Sequence, residues 1–156
     1  APREGEWVTY AAADDRYTIS FPAGYEMLEN ETVSVDGVTH PAPNTLTLVA
    51  DNDSTADFVL TIQHAQYAGE TSLEAALQIG VGEDSCYFAV PENSEPITIG
   101  GQEALIFRDT PCGPFGSTLI YTVAGEMIFL ITIESSASFG MIEEEIRPIL
   151  DTFEVS

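Results

Sequence analysis

Met127-Ile128-Phe129-Leu130-Ile131-Thr132-Ile133-Glu134 decides the fold. A strand that lies on the surface of a sheet alternates apolar and polar residues, because successive side chains point to opposite faces. Here both faces are apolar, with only Thr132 interrupting. Such a strand belongs in the middle of a sheet that is covered on both sides. The run is far too short to cross a bilayer, which needs ~20 apolar residues.

Working outward, Ser117–Val123 and Glu103–Arg108 read as strands on either side of a turn-rich loop that contains Cys112. Ile97-Thr98-Ile99 is a strand that ends in the tight turn Gly100-Gly101. Tyr17-Thr18-Ile19-Ser20-Phe21 alternates with period two and stops at Pro22-Ala23-Gly24. Thr45–Ala50 and the alternating Phe58, Leu60 and Ile62 form a hairpin around a polar loop. Asp36-Gly37 between short β-branched stretches predicts a smaller one, since Asp-Gly suits a type I′ turn. Thr71-Ser72-Leu73-Glu74 matches a capping box, and Leu73, Ala76, Leu77, Gly80 and Val81 continue it as a short amphipathic helix. A terminal helix is predicted from Ile142, Ile146, Ile149, Leu150 and Phe153, with Glu143, Glu144 and Glu145 on its wet side and in its first turn. Pro148 is expected to kink or divide it. Strands, one helix, more hairpins and a last helix give an α+β class with a mainly antiparallel sheet. The division is a tail and lead-in over residues 1–10 and a single domain over 11–156.

Charge is the other dominant signal. The 156 residues hold 26 acids against four arginines and no lysine, a formal net charge of −22. Nucleic acids and anionic membrane surfaces are excluded as partners, because affinity for both rests on Lys and Arg. Cations, basic partners and high salt are tolerated. The chain begins Ala1-Pro2-Arg3-Glu4-Gly5, which reads as a trimmed start whose leader, with or without a lipid anchor, lies outside this sequence. Cys86 and Cys112 sit in loop-rich contexts and are expected to pair as a disulfide in an oxidising compartment, two buried free thiols being the alternative.

The stretch Tyr17–Tyr25, after the aromatic lead-in Trp7 and Tyr10, is similar to the opening of PsbP-like proteins. Ile97-Thr98-Ile99-Gly100-Gly101-Gln102-Glu103-Ala104 resembles their middle turn, and Ile149-Leu150-Asp151-Thr152-Phe153 their closing segment. The resemblance implies a three-layer αβα sandwich, shared with the Ran-binding Mog protein. It also implies the company of extrinsic photosystem II subunits and of secreted bacterial proteins or lipoproteins. Docking through surface lysines, as the photosystem subunits do, is closed to a chain without lysine. Extracellular or periplasmic placement follows.

Candidate chemistry is sparse. Asp51, Asp53, Thr55 and Asp57 place oxygen ligands at alternate positions, as calcium loops do, but the sixth position is Ala56 and the twelfth Ile62. A solvated hairpin tip of turn-forming residues is the simpler explanation, because an incomplete ligand set leaves a hard cation hydrated. His40 and His64 lack a fixed metal-ligand spacing, and His64 continues the apolar face of Phe58, Leu60 and Ile62 as a structural residue would. Gly116-Ser117 lacks the surroundings of a nucleophile elbow, and Gly80-Val81-Gly82 lacks the rest of a phosphate cradle. Trp7, Tyr10 and Tyr25 are candidates for a shallow ligand or partner groove, or for packing. The expectation is a non-catalytic exported module that binds a protein or an envelope component. A soluble small-ligand or calcium-binding domain and a hydrolase with a dispersed site are the alternatives. No cofactor beyond calcium is implied. Halophily would account for the charge without a partner.

Overall fold

The computed structural model describes residues 6–11, 17–29, 33–35, 38–40, 45–50, 57–66, 94–110, 117–124, 127–135 and 137–155. Their order is β1 (Trp7–Ala11), β2 (Tyr17–Pro22), β3 (Glu26–Glu29), β4 (Val33–Val35), β5 (Val38–His40), β6 (Thr45–Val49), β7 (Phe58–Gln66), β8 (Glu95–Ile99), β9 (Gln102–Thr110), β10 (Ser117–Ala124), β11 (Met127–Ser135), helix α1 (Phe139–Leu150) and β12 (Glu154–Val155). The Thr71–Glu74 capping box and its helix, Cys86, Cys112, Asp51, Asp53 and Thr55 lie outside the described residues.

Seven strands form one antiparallel sheet in the order β3-β6-β7-β11-β10-β9-β8. The doubly apolar strand β11 is its middle member, paired with β10 on one side and β7 on the other. Its two apolar sets part company. Phe129, Ile131 and Ile133 join the main core, while Ile128 and Leu130 join Phe107, Leu119 and Tyr121 in a second buried cluster. Among the described residues, that second cluster is drawn only from β9, β10 and β11. A three-stranded sheet, β1-β2-β12, and α1 both contribute to the main core. The class is α+β with mainly antiparallel strands.

β4 and β5 pair with Val35 opposite Val38, the hairpin expected at Asp36-Gly37. β6 and β7 pair over Thr45 to Gln63 and Val49 to Val59. Gly100 and Gly101 both have positive φ, 54° and 82°, as a two-residue hairpin turn of this hand requires. Pairing alternates outward from that turn, so Pro96 on the edge strand β8 occupies a position whose missing N–H would have faced outward. This blunts the sheet edge against further strands.

Helix α1 starts at Phe139, so Glu143, Glu144 and Glu145 fall after the first turn, which holds no acid. The sequence pattern began the buried stripe at Ile142 and missed Phe139, which opens it. Pro148 stands inside the helix near its end and does not divide it. The proline costs about 3 kcal/mol. Five buried side chains, Phe139, Ile142, Ile146, Ile149 and Leu150, each contribute about 2 kcal/mol and outweigh it.

The three sequence pieces that resemble PsbP-like proteins meet at one place. Tyr17 and Phe153 stack with ring centroids 5.5 Å apart, and Val155 pairs with Tyr17. The Ser20 N–H donates to Thr152 Oγ1 at 2.8 Å, and that hydroxyl donates to the Ile149 carbonyl at 2.6 Å. A Cβ on Gly100 would overlap the backbone carbonyl of Phe153. Glycine is required there by close approach as well as by φ.

Candidate functional site

The β9–β10 pairing slips once. Thr110 opposes Ser117, but Phe107 opposes Leu119, so β9 carries one residue more than β10 across this interval. Such a bulge re-aims side chains. Asp109 absorbs it with φ 50°, the left-handed region that Asp tolerates better than most residues. The Asp109 N–H turns to Thr118 Oγ1 at 3.1 Å instead of a backbone carbonyl. Next to it, Thr110 Oγ1 donates to the Ser117 carbonyl at 2.8 Å.

The re-aimed Asp109 carboxylate reaches α1. Its Oδ1 accepts the Phe139 N–H at 2.8 Å. Ser138 occupies the N-cap position but makes no side-chain cap bond. A carboxylate supplied from a neighbouring strand thus does what a local cap usually does, and it complements the positive end of the helix dipole. Arg108 strengthens the same joint. Its Nε meets Glu95 at 3.1 Å, its Nη1 meets Glu143 at 3.2 Å, and its guanidinium lies 5.0 Å from the Phe139 ring centroid. The pairs are partly exposed and individually weak. Together they tie β8, β9 and α1.

Between β9, β10, β11 and the start of α1 lies a recess of about 410 Å³. Its polar lining is Asp109, Thr110, Ser117, Thr118, Ser135 and Ser138, and its apolar lining is Ile133, Ala137, Phe139 and Ile142. Thr110, Ser117 and Thr118 are buried, whereas Asp109 and Ser138 are exposed at the mouth. Ser135 also holds the far strand in place, donating to the Asp57 carbonyl at 2.6 Å and accepting from the Ala137 N–H. The recess offers a concave surface with converging hydroxyls and one carboxylate, the usual form of a small-ligand site.

Other candidates are placed as follows. Asp57 is exposed and lines a second cavity of about 470 Å³ with Phe58, Val59 and Glu134. His64 is buried on β7 against Tyr17 and Phe129, at ring distances of 5.8 and 5.9 Å, as its alternation with Phe58, Leu60 and Ile62 implies. His40 is described only as part of the β4–β5 pair. Trp7 and Tyr10 are partly buried against the main core, Tyr10 lying 6.2 Å from Tyr17. Tyr25 is buried against Phe58 and its hydroxyl donates to Glu145. Among the described residues no group of three or more His, Cys, Asp or Glu is arranged to hold a metal. No described helix is long and apolar enough to cross a membrane.

Sequence reasoning passed over the recess. The available signals were Arg108-Asp109-Thr110 at the end of a strand and the hydroxyl run Ser135-Ser136-Ala137-Ser138 before a helix. Neither reveals that the two stretches face each other.

No family model matches the chain, and no curated protein matches it. Among solved structures, a protein from Bacteroides thetaiotaomicron VPI-5482 superposes with a TM-score of 0.61 at 12% identity, over 95% of this chain and 48% of that one. The present chain thus spans about half the length of that protein. The solution structure of cyanobacterial PsbP (CyanoP) from Synechocystis sp. PCC 6803 superposes with a TM-score of 0.54 at 12% identity, over 96% of this chain and 92% of the other. The central β11, the joined opening and closing segments and this agreement along nearly the whole of both chains give one conclusion: the chain has a PsbP-like fold.

Proposed function

We propose that the chain is a non-catalytic, exported module of the cell surface or periplasm that binds a protein or an envelope component. Its charge carries the reading. Twenty-six carboxylates face four arginines, and Glu26, Glu95, Glu103, Glu134, Glu144 and Asp151 are exposed on different elements. Such a surface repels polyanions and steers cationic groups toward it. The PsbP-like fold is compatible with an extrinsic role. A Cys86–Cys112 disulfide and a three-layer arrangement, with an outer layer on the Phe107, Leu119 and Tyr121 cluster, belong to the same proposal.

Pull-down from the native envelope at low and high salt, read by mass spectrometry, tests it. A partner retained at low salt, released at high salt and absent from an acidic control protein of equal charge supports the reading. Turnover of an ester, phosphate or peptide substrate contradicts it. Stability that collapses as salt is removed, with no specific partner recovered, replaces it with halophily.

The recess at Asp109 favours a second reading, a small-ligand domain. Calcium on Asp51, Asp53, Thr55 and Asp57 is a separate version of that reading. It predicts a thermal shift with calcium that disappears in Asp53→Ala.

A further inference from the structure

Resting on the reading of the chain as a binding module, we propose that the recess between the β9–β10 bulge and α1 takes one residue of a neutral sugar. Three observations select that ligand class. First, the polar part of the lining is five hydroxyl side chains and one carboxylate, set against an apolar wall. Hydroxyls donate and accept alike, so they match a polyol, which does the same.

Second, two polar groups in the recess have bonding capacity left over. Thr118 is 2% exposed, and its Oγ1 accepts the Asp109 N–H, but no described residue accepts the Thr118 proton. A buried donor without an acceptor is unfavourable, so this proton calls for an oxygen within the recess. Asp109 Oδ1 is engaged by the Phe139 N–H, while Oδ2 has no described donor. The two groups are joined through the Asp109 backbone, so a ligand hydroxyl could accept from one and donate to the other.

Third, competing ligand classes fit poorly. Among the described residues no cationic side chain lines the recess, and neighbouring Arg108 is held by Glu95 and Glu143, so an anion finds no described counter-charge there in a chain of net charge −22. A hard cation wants six or more oxygens with several carboxylates, and the described lining holds a single one, Asp109. Its volume of about 410 Å³ leaves room for one sugar ring against Ile133, Ala137 and Ile142.

Titration of the ¹⁵N-labelled protein with glucose, galactose, mannose and N-acetylglucosamine, followed through its amide resonances, tests the proposal. At least one sugar is expected to saturate, with Kd on the order of 1 mM. Its shifts should centre on Asp109, Thr110, Ser117, Thr118 and Phe139. Thr118→Val keeps the shape and removes the hydroxyl. Asp109→Asn keeps the helix cap and removes the charge. Each should weaken binding at least tenfold with an unchanged fold by amide spectrum. Saturable shifts elsewhere, or shifts insensitive to both variants, overturn the placement. Silence from all four sugars, or the same shifts from calcium chloride alone, overturns the ligand class. Any of these leaves the envelope pull-down unaffected, and a failed pull-down leaves a saturating sugar titration standing.

Discussion

The junction around Phe153 and the recess at Asp109 both join distant parts of the chain, but they are held by different forces. At the junction, Phe153 is fully buried against Tyr17 and Phe129, each 5.5 Å away, and Gly100 fits closely beneath its carbonyl. Apolar burial and backbone contact dominate. At the recess, one carboxylate and a set of hydroxyls link a bulged strand to a helix end. The first arrangement resists change. The second is partly open to solvent and leaves polar groups with capacity to spare, which is where recognition can occur.

The largest expected effect is at the junction. Phe153→Ala should destabilise by about 4 kcal/mol in urea titration, the loss of a fully buried aromatic. A loss below about 1 kcal/mol would mean that the junction is not the keystone it is taken for. Gly100→Ala sharpens the same point. It combines an unfavourable φ with overlap on the Phe153 backbone and should cost about 3 kcal/mol. Gly101→Ala shares the positive φ but meets nothing within 4 Å, so it should cost about 1 kcal/mol. Equal losses would remove the close approach from the account.

At the recess the effects are smaller than those of Phe153→Ala and Gly100→Ala. Asp109→Ala loses a helix cap and an αL-tolerant residue, about 2 kcal/mol in all. Asp109→Asn keeps both and should stay within about 0.5 kcal/mol of the parent. The smallest effect lies on the other face of the sheet. Burial raises the pKa of Tyr121 above its ordinary value of 10.0. The unfolded chain therefore loses its tyrosine proton first as pH rises, and stability present below about pH 10 declines above it. Tyr121→Phe should flatten that alkaline decline, as followed by thermal melts across the range.

Most of the junction was legible because its pieces carry their own signals. Tyr17-Thr18-Ile19-Ser20-Phe21 alternates, Gly100-Gly101 announces a turn, and Ile142, Ile146 and Ile149 keep helical spacing. The central position of β11 followed from its two apolar faces. The helix start did not, because the cap is Asp109, thirty residues earlier in the chain. Glutamates at 143–145 suggested a first turn one turn too late. The recess was invisible for the same reason. A β-bulge leaves no periodic trace, and its hydroxyls gain meaning only when Thr118 and Ser138 are brought to one place.

Both functional readings of the recess stand on the bond from Asp109 to α1, and hydrogen exchange at the Phe139 amide reports on it directly. If the long-range carboxylate is the cap, Asp109→Ala accelerates exchange at Phe139 about tenfold while Ser138→Ala leaves it unchanged, since about 1.4 kcal/mol corresponds to a factor of ten. Acceleration in Ser138→Ala with none in Asp109→Ala would contradict the account.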